Sequence, residues 1–260
     1  MSALTDRLDV ALTLASEAAA LALRMRPPPG ATTAKLKGEQ DWLTDADAAV
    51  EQLISGRLAR IYPADGFQGE ESGRARLGSL WWVADPIDGT ANFMRGGNRF
   101  CVSLGCLEGE TPVIGVIVAP ALEETFAASR GNGATLNGTA IRAAETTELT
   151  RATVEFGWSR RRPHAEFVTL IDSVVALGVM PRLNGSGALG LADVAAGRTD
   201  AYIELHINLW DVAAALTILA EAGARVSNFM AGNGAIVGNS LLAAAPGIAA
   251  VLSAYTHIQL

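Results

Sequence analysis

The sequence predicts a mixed α/β protein: an antiparallel α+β first half joined near residues 143–150 to a more α/β second half, with the division at 1–145 and 146–260. Three observations predict it. Helix-spaced apolar residues open the chain, and short apolar runs separated by Gly-Asn-Gly and Asn-Gly turn signals follow. From about residue 150, strand-like and helix-like segments alternate. A chain of 260 residues buries enough surface to fold without disulfides or a structural metal. Half of it is hydrophobic and only 6% aromatic, so the expected core is aliphatic and alanine-rich.

Thr5 is placed to cap a first helix whose apolar positions Leu8, Leu12, Ala15, Ala19 and Leu23 share one face. Pro27, Pro28 and Pro29 stop it, and a polar loop carrying Lys35 and Lys37 follows. Thr44-Asp45-Ala46-Asp47 opens a second helix through Val50, Leu53, Ile54, Leu58 and Ile61. Leu80–Ala84 reads as a buried strand ending at Asp85, with further strands at Phe100–Leu107 and Val113–Ala119. Gly131-Asn132-Gly133 and Asn137-Gly138 mark tight turns of a meander. In the second half the segments are Thr153–Phe156, His164–Leu177, Leu189–Ala196, Ala201–Glu204, Val212–Ala222, Ala235–Val237 and Pro246–Ala254.

The formal charge is −7, which argues against a nucleic-acid or anionic-membrane binder. Cys101 and Cys106 sit in an apolar run and read as small core residues of a cytoplasmic protein. No secretory leader pattern opens the chain. Val226–Leu260 lacks charged side chains, but Asn, Gly and Pro interrupt it short of the ~18–20 apolar residues a bilayer span needs, so a buried strand and a terminal core helix are expected there.

The charge is unevenly spread. Between Asp41 and Asp88 lie nine acids and four bases. Within this stretch, Asp85-Pro86-Ile87-Asp88-Gly89-Thr90 places two carboxylates at a strand end, ahead of a helix start. Two readings fit it: a capped turn, or an oxygen-ligand site for a hard cation with the Gly89 and Thr90 amides free for phosphate. Gly69-Glu70-Glu71-Ser72 presents adjacent acids on a loop, and Trp210-Asp211-Val212-Ala213 puts an acid at a helix start. If folding gathers four such carboxylates, they must take up protons or bind cations.

Glu70-Glu71-Ser72, Asp85-Pro86-Ile87-Asp88-Gly89-Thr90-Ala91-Asn92-Phe93 and Trp210-Asp211-Val212-Ala213 together resemble the inositol monophosphatase family of Mg²⁺-dependent, lithium-sensitive phosphatases. Lys37 with Asp41, Leu43–Asp47, Gly131–Gly138 and Gly197–Tyr202 support the resemblance, which runs over nearly the whole chain. It implies a layered αβαβα sandwich of the inositol monophosphatase and fructose-1,6-bisphosphatase type, as a homodimer. It also implies that Glu70, Asp85 and the Ile87 carbonyl hold one Mg²⁺, that Asp85, Asp88 and Asp211 hold a second, and that a third sits near Glu70 through water. Thr90 paired with Asp47, assisted by Glu70, is the expected water-activating group. Asp88, Gly89, Thr90, Ala188, Glu204 and Asp211 are the expected substrate contacts, and Lys37, Asp41 and Glu71 support them.

The chain departs from the family's pattern where a His often precedes the Trp-Asp pair: Asn208 stands there, with His206 two residues earlier. Inositol 1-phosphate is the substrate the resemblance implies, with histidinol phosphate as the alternative. Sugar bisphosphates and 3′-phosphoadenosine nucleotides are further options, for which Arg160-Arg161-Arg162 offers charge. A regulatory binding role is the expectation from a different class.

Overall fold

The computed structural model describes residues 3–28, 35–38 and 41–260, with 35–38 and 41–43 described by their backbone. Helix α1 (Ala3–Met25) buries Ala11, Leu14, Ala15, Ala18, Ala19 and Ala22 along one face. Strands β1 (Lys35–Gly38) and β2 (Asp41–Leu43) form an antiparallel hairpin where the polar composition suggests a loop. Lys37 and Asp41 lie on it, their side chains outside the described residues. Helix α2 (Asp45–Ile61) starts in a capping box: Thr44 Oγ1 accepts from Ala46 N at 3.2 Å, and Asp47 Oδ2 accepts from Thr44 N at 2.8 Å.

Eight strands then build one sheet: β3 (Gly66–Gly69), β4 (Gly73–Arg76), β5 (Leu80–Asp88), β6 (Cys101–Glu108), β7 (Thr111–Ala119), β8 (Glu124–Ser129), β9 (Ala134–Leu136) and β10 (Thr139–Ala140). Their order is β10-β9-β8-β7-β6-β5-β3-β4. It is antiparallel except for β3 beside β5, because the β3–β4 hairpin folds outward and leaves β5 to enter parallel to β3. The short helix α3 (Thr90–Met94) interrupts the run after β5.

The second half forms a five-stranded sheet from β11 (Thr153–Phe156), β12 (Met180–Arg182), β13 (Ala201–Ile207), β14 (Arg225–Val226) and β15 (Asn239–Ala244), in the order β12-β11-β13-β15-β14. Between them run α4 (His164–Val175), α5 (Gly187–Ala195), α6 (Leu209–Glu221) and α7 (Gly234–Val237), and α8 (Pro246–Thr256) follows.

Strand alternation sorts the side chains into layers. Trp82, Ala84, Val102, Leu104 and Cys106 point into a core with α1 and α2. Trp81, Val83, Cys101 and Leu107 face α5 and α6, whose other side meets Tyr202, Leu241 and Ala243 of the small sheet. Val154, Ile203 and Leu242 on the far side meet α4 and α8. The result is the αβαβα order.

Helix α6 lies at backbone contact on the large sheet. Gly105 and Gly115 are cross-strand partners beneath it. A Cβ on Gly115 would sit 2.0 Å from the Ala214 carbonyl oxygen, and one on Gly105 2.7 Å from the Ala213 carbonyl carbon. This pair sets how deep α6 carries its N-terminus towards β5. Gly115→Ala is expected to lower stability by about 3 kcal/mol, since helix and sheet must separate. A urea titration that leaves the midpoint unchanged contradicts that packing account.

Candidate metal centre and active site

Two residues three apart on a regular strand point to opposite faces. On β5 they do not. Asp85 pairs with Ser103 and Asp88 with Cys101, so three steps on β5 span two on β6, a β-bulge. The extra residue turns both carboxylates to the α6 side. Pro86 sits inside the bulge, a place where its missing N–H costs the ladder least. The strand therefore continues through Asp88 instead of ending at Asp85. Ile87 is thrown to the other side and buried among the α1–α2 core residues. Its N–H donates to Asp85 Oδ1 at 3.0 Å, and its carbonyl accepts from Thr90 Oγ1 at 2.9 Å.

Asp211 arrives from α6, where its carboxylate accepts from Asn208 N at 2.9 Å. Asp88 lies against the start of α5: Ser186 Oγ donates to it, as do Gly187 N at 3.2 Å and Ala188 N at 3.0 Å. One oxygen from each of Asp85, Asp88 and Asp211 falls within 4.8 Å of the others. Glu70 follows β3 directly; its N–H donates to the Ala84 carbonyl at 3.2 Å, which extends the parallel ladder and sets Glu70 beside Asp85.

The electrostatics record this crowding. Burial first, and then the charges of Glu70, Asp88 and Asp211, push Asp85 well above the carboxylate range. Burial and Asp88 push Asp211 up to about 7. Asp88 is also raised by burial, although Ser186 and the α5 amides oppose the shift. Asp85, Asp88 and Asp211, buried side by side, are each pushed towards the protonated form. A donor set made only of oxygens suits a hard divalent cation.

A cleft of about 880 Å³ opens over these groups, and Glu70, Thr90, Asp211, Trp158 and Arg161 are among the residues that line it. Glu204 lies in its wall, accepts from Tyr202 OH at 2.6 Å, and is pushed up to about 8, chiefly by burial. His206 also lines it, with Nε2 2.9 Å from the Val237 carbonyl oxygen, while Asn208 serves as the N-cap of α6. Gly89 adopts φ +85° at the start of α3, where a Cβ would lie 2.7 Å from the Arg99 carbonyl oxygen. Arg162 pairs with Glu166 at 2.5 Å, and Arg160 and Arg161 line the cleft.

Two expected placements differ. Thr90 and Asp47 do not hydrogen-bond each other: Thr90 turns to the Ile87 carbonyl, and Asp47 accepts Thr44 N and, at 2.6 Å, Thr44 Oγ1. The capping geometry of α2 claims Asp47 first. Ala188 is fully buried, and its amide is committed to Asp88, so it packs against the carboxylate cluster and does not line the cleft. Three residues gain a role that sequence did not assign. Ser186 binds Asp88, Tyr202 binds Glu204, and Asn92 Nδ2 joins α3 to the Asn184 carbonyl at 2.8 Å. Ser186, at an N-cap position before a helix-like run, carried a readable signal.

Three carboxylates thus converge from a bulged strand and from the start of α6. A sequence model of the inositol monophosphatase family aligns with residues 3–258. The chain belongs to the inositol monophosphatase family. It is 41% identical over 196 residues to a Nus factor SuhB of Xylella fastidiosa, covering 74% of this chain and 71% of that one. It is 38% identical over 200 residues to inositol monophosphatase 2 of Solanum lycopersicum, covering 73% and 76%. The fold superimposes on an inositol monophosphatase from Anabaena with a TM-score of 0.86, at 31% identity over 98% of this chain and 97% of that one. Family membership makes this a phosphatase scaffold. Among the described residues no helix is long and apolar enough to cross a membrane.

Proposed function

We propose that this protein hydrolyses a small phosphate monoester, inositol 1-phosphate first, by Mg²⁺-dependent, lithium-sensitive attack of water, as a cytoplasmic homodimer. The observation that carries the reading is the Asp85–Asp88–Asp211 cluster at the floor of the cleft. Glu70, Asp85 and the Ile87 carbonyl would hold one ion, and Asp85, Asp88 and Asp211 a second, with a third near Glu70 through water. Bound there, Mg²⁺ supplies charge neutralisation of the phosphoryl group, an acidified water and a stabilised leaving oxygen.

The chain's own residues do the positioning. Thr90 Oγ1 donates to the Ile87 carbonyl, so its lone pairs are left to accept a hydrogen bond from the attacking water. Glu70 takes that water's proton. The Gly89 and Thr90 amides hold phosphate oxygens, and Glu204 bonds the hydroxyls of the leaving alcohol. Asp47 holds Thr44 and so fixes the start of α2. Phosphate monoester hydrolysis is so slow unaided that on the order of 20 kcal/mol of barrier must be removed, most of it by positioning and charge stabilisation.

A phosphate-release panel tests this, with Mg²⁺ present and Li⁺ added or withheld. Inositol 1-phosphate is expected to turn over fastest, ahead of histidinol phosphate, fructose 1,6-bisphosphate and 3′-phosphoadenosine 5′-phosphate. Li⁺ is expected to suppress the activity. No release from any of the four overturns the reading, and histidinol phosphate leading the panel reassigns the leaving group. Several relatives bear the name Nus factor, which favours a regulatory binding role as a second reading. A catalytically inactive variant that fully replaces the wild type in cells supports it.

A further inference from the structure

Glu70 must be aimed, yet it opens a three-residue reversal between β3 and β4. A turn of this kind at a sheet margin is held weakly by its own backbone. What holds it here comes from a different element. Glu51, on α2, is 5% exposed and extends under the turn. Its Oε2 accepts from Glu71 N at 2.8 Å and its Oε1 from Ser72 N at 2.9 Å. Both carboxylate oxygens therefore bond consecutive backbone amides immediately after Glu70. The fit is close: a Cβ on Gly69 would stand 2.2 Å from the Glu51 carboxyl.

Glu51 is one helical turn beyond Asp47, and both are buried on the same face of α2. Asp47 binds the residue that starts the helix, while Glu51 binds the turn that carries Glu70. Glu70 is held on its other side by its own N–H on the Ala84 carbonyl. The ladder thus fixes the residue's backbone, and Glu51 fixes the direction in which the chain leaves it. An apolar side chain of similar size would fill the space, but it would leave the amides of Glu71 and Ser72 unpaired and the turn free to move.

We propose that Glu51 is a positioning residue of the metal centre, acting through the Glu71 and Ser72 amides to hold Glu70 in its ligating orientation. This rests on the proposed metal reading of Glu70. Glu51 itself touches neither substrate nor ion. Outer partners of metal ligands commonly change affinity by roughly 10–100-fold when removed, and the same range is expected here.

The test measures Mn²⁺ binding by electron paramagnetic resonance, alongside thermal melting of the metal-free protein. Glu51→Gln retains one acceptor oxygen and turns an NH₂ towards an amide N–H. It is expected to weaken the tightest Mn²⁺ site about tenfold or more. Gly69→Ala keeps the Glu51 charge but pushes the carboxyl off its amides, and it is expected to weaken binding in the same way. If Glu51→Gln fails to fold, Gly69→Ala decides the question. Mn²⁺ affinity equal to wild type in a folded variant overturns the proposal, even where melting falls, since a purely structural Glu51 lowers melting alone. Wild-type protein that binds no Mn²⁺ overturns the metal reading itself, and so is distinguishable from a failure of the Glu51 role.

Discussion

Asp85→Asn is expected to abolish turnover and, in the same protein, to raise the melting temperature of the metal-free form. The two effects share one cause. Asp85 is 2% exposed, and the charges of Glu70, Asp88 and Asp211 crowd it. Without a cation, its ionised form is the least favourable group in the cluster. Asparagine keeps the shape, and its amide oxygen can still accept from Ile87 N, which is 3.0 Å from Asp85 Oδ1. The substitution therefore removes a repulsion without opening a cavity. A gain of on the order of 2 kcal/mol, roughly 5 °C for a chain of this size, is expected. Turnover should fall at least about a thousandfold, as a carboxylate that would help hold both of the proposed ions is lost. Calorimetry under chelator and a phosphate-release assay measure both quantities. A variant that melts lower without metal, or that retains wild-type turnover, contradicts the account.

Asp88→Asn is a poorer probe for the same purpose. Both of its oxygens receive donors from Ser186, Gly187 and Ala188, so an NH₂ at either end meets an N–H or a hydroxyl hydrogen. Its loss of activity would mix a missing ligand charge with a disturbed start of α5.

This difference between Asp85 and Asp88 also shows where sequence stops being readable. The acids themselves are legible through the resemblance that Asp-Pro-Ile-Asp-Gly-Thr and Trp-Asp carry, since their spacing alone fits a capped turn and an N-cap equally. Strand parity misleads, since it sends Asp85 and Asp88 to opposite faces; only the bulge corrects it. Pro86 was the local sign of a bulge, being a residue that a paired strand otherwise avoids. The helices α1, α2, α4, α5 and α6 are legible from apolar spacing and caps. The order of layers is not, because periodicity says which face is buried and not against what. The resemblance supplied that order.

Glu51 is silent in the sequence for the same reason. Its partners, Glu71 and Ser72, are 20 and 21 residues away, and they are backbone amides, which have no residue signature. Ala188 misleads in the opposite sense. The resemblance made it a substrate contact, whereas its small size serves the close packing of α5 around Asp88. The pairing of β1 with β2 went unread because the polar residues of these two short strands carry no apolar alternation to detect.

The cluster also fixes the sign of a pH effect that most proteins show the other way round. Asp211 rises from 3.8 to about 7, and Glu204 from 4.5 to about 8. The unfolded chain releases these protons near its ordinary carboxylate values, while the metal-free native state gives them up only around pH 7 to 8. Between those limits the native state binds more protons than the unfolded one, so its stability falls as pH rises. For Asp211 the full span corresponds to about 4 kcal/mol, lost between about pH 4 and about pH 7. The neighbouring acids share these protons, so their effects overlap instead of adding. Metal-free protein should therefore melt progressively lower from about pH 5 to about pH 8. Saturating Mg²⁺ replaces the protons as the neutralising charge, so the melting temperature should become nearly flat across the same window and its gain over the metal-free protein should widen with pH. Asp211→Asn removes one titrating acid and should flatten the metal-free curve without any metal. Differential scanning calorimetry of wild type and variant, under chelator and under Mg²⁺, reads all three slopes. A metal-free wild type that gains stability towards pH 8 means that Asp85, Asp88 and Asp211 are already neutralised by the chain itself, and the cluster then has no need of a cation.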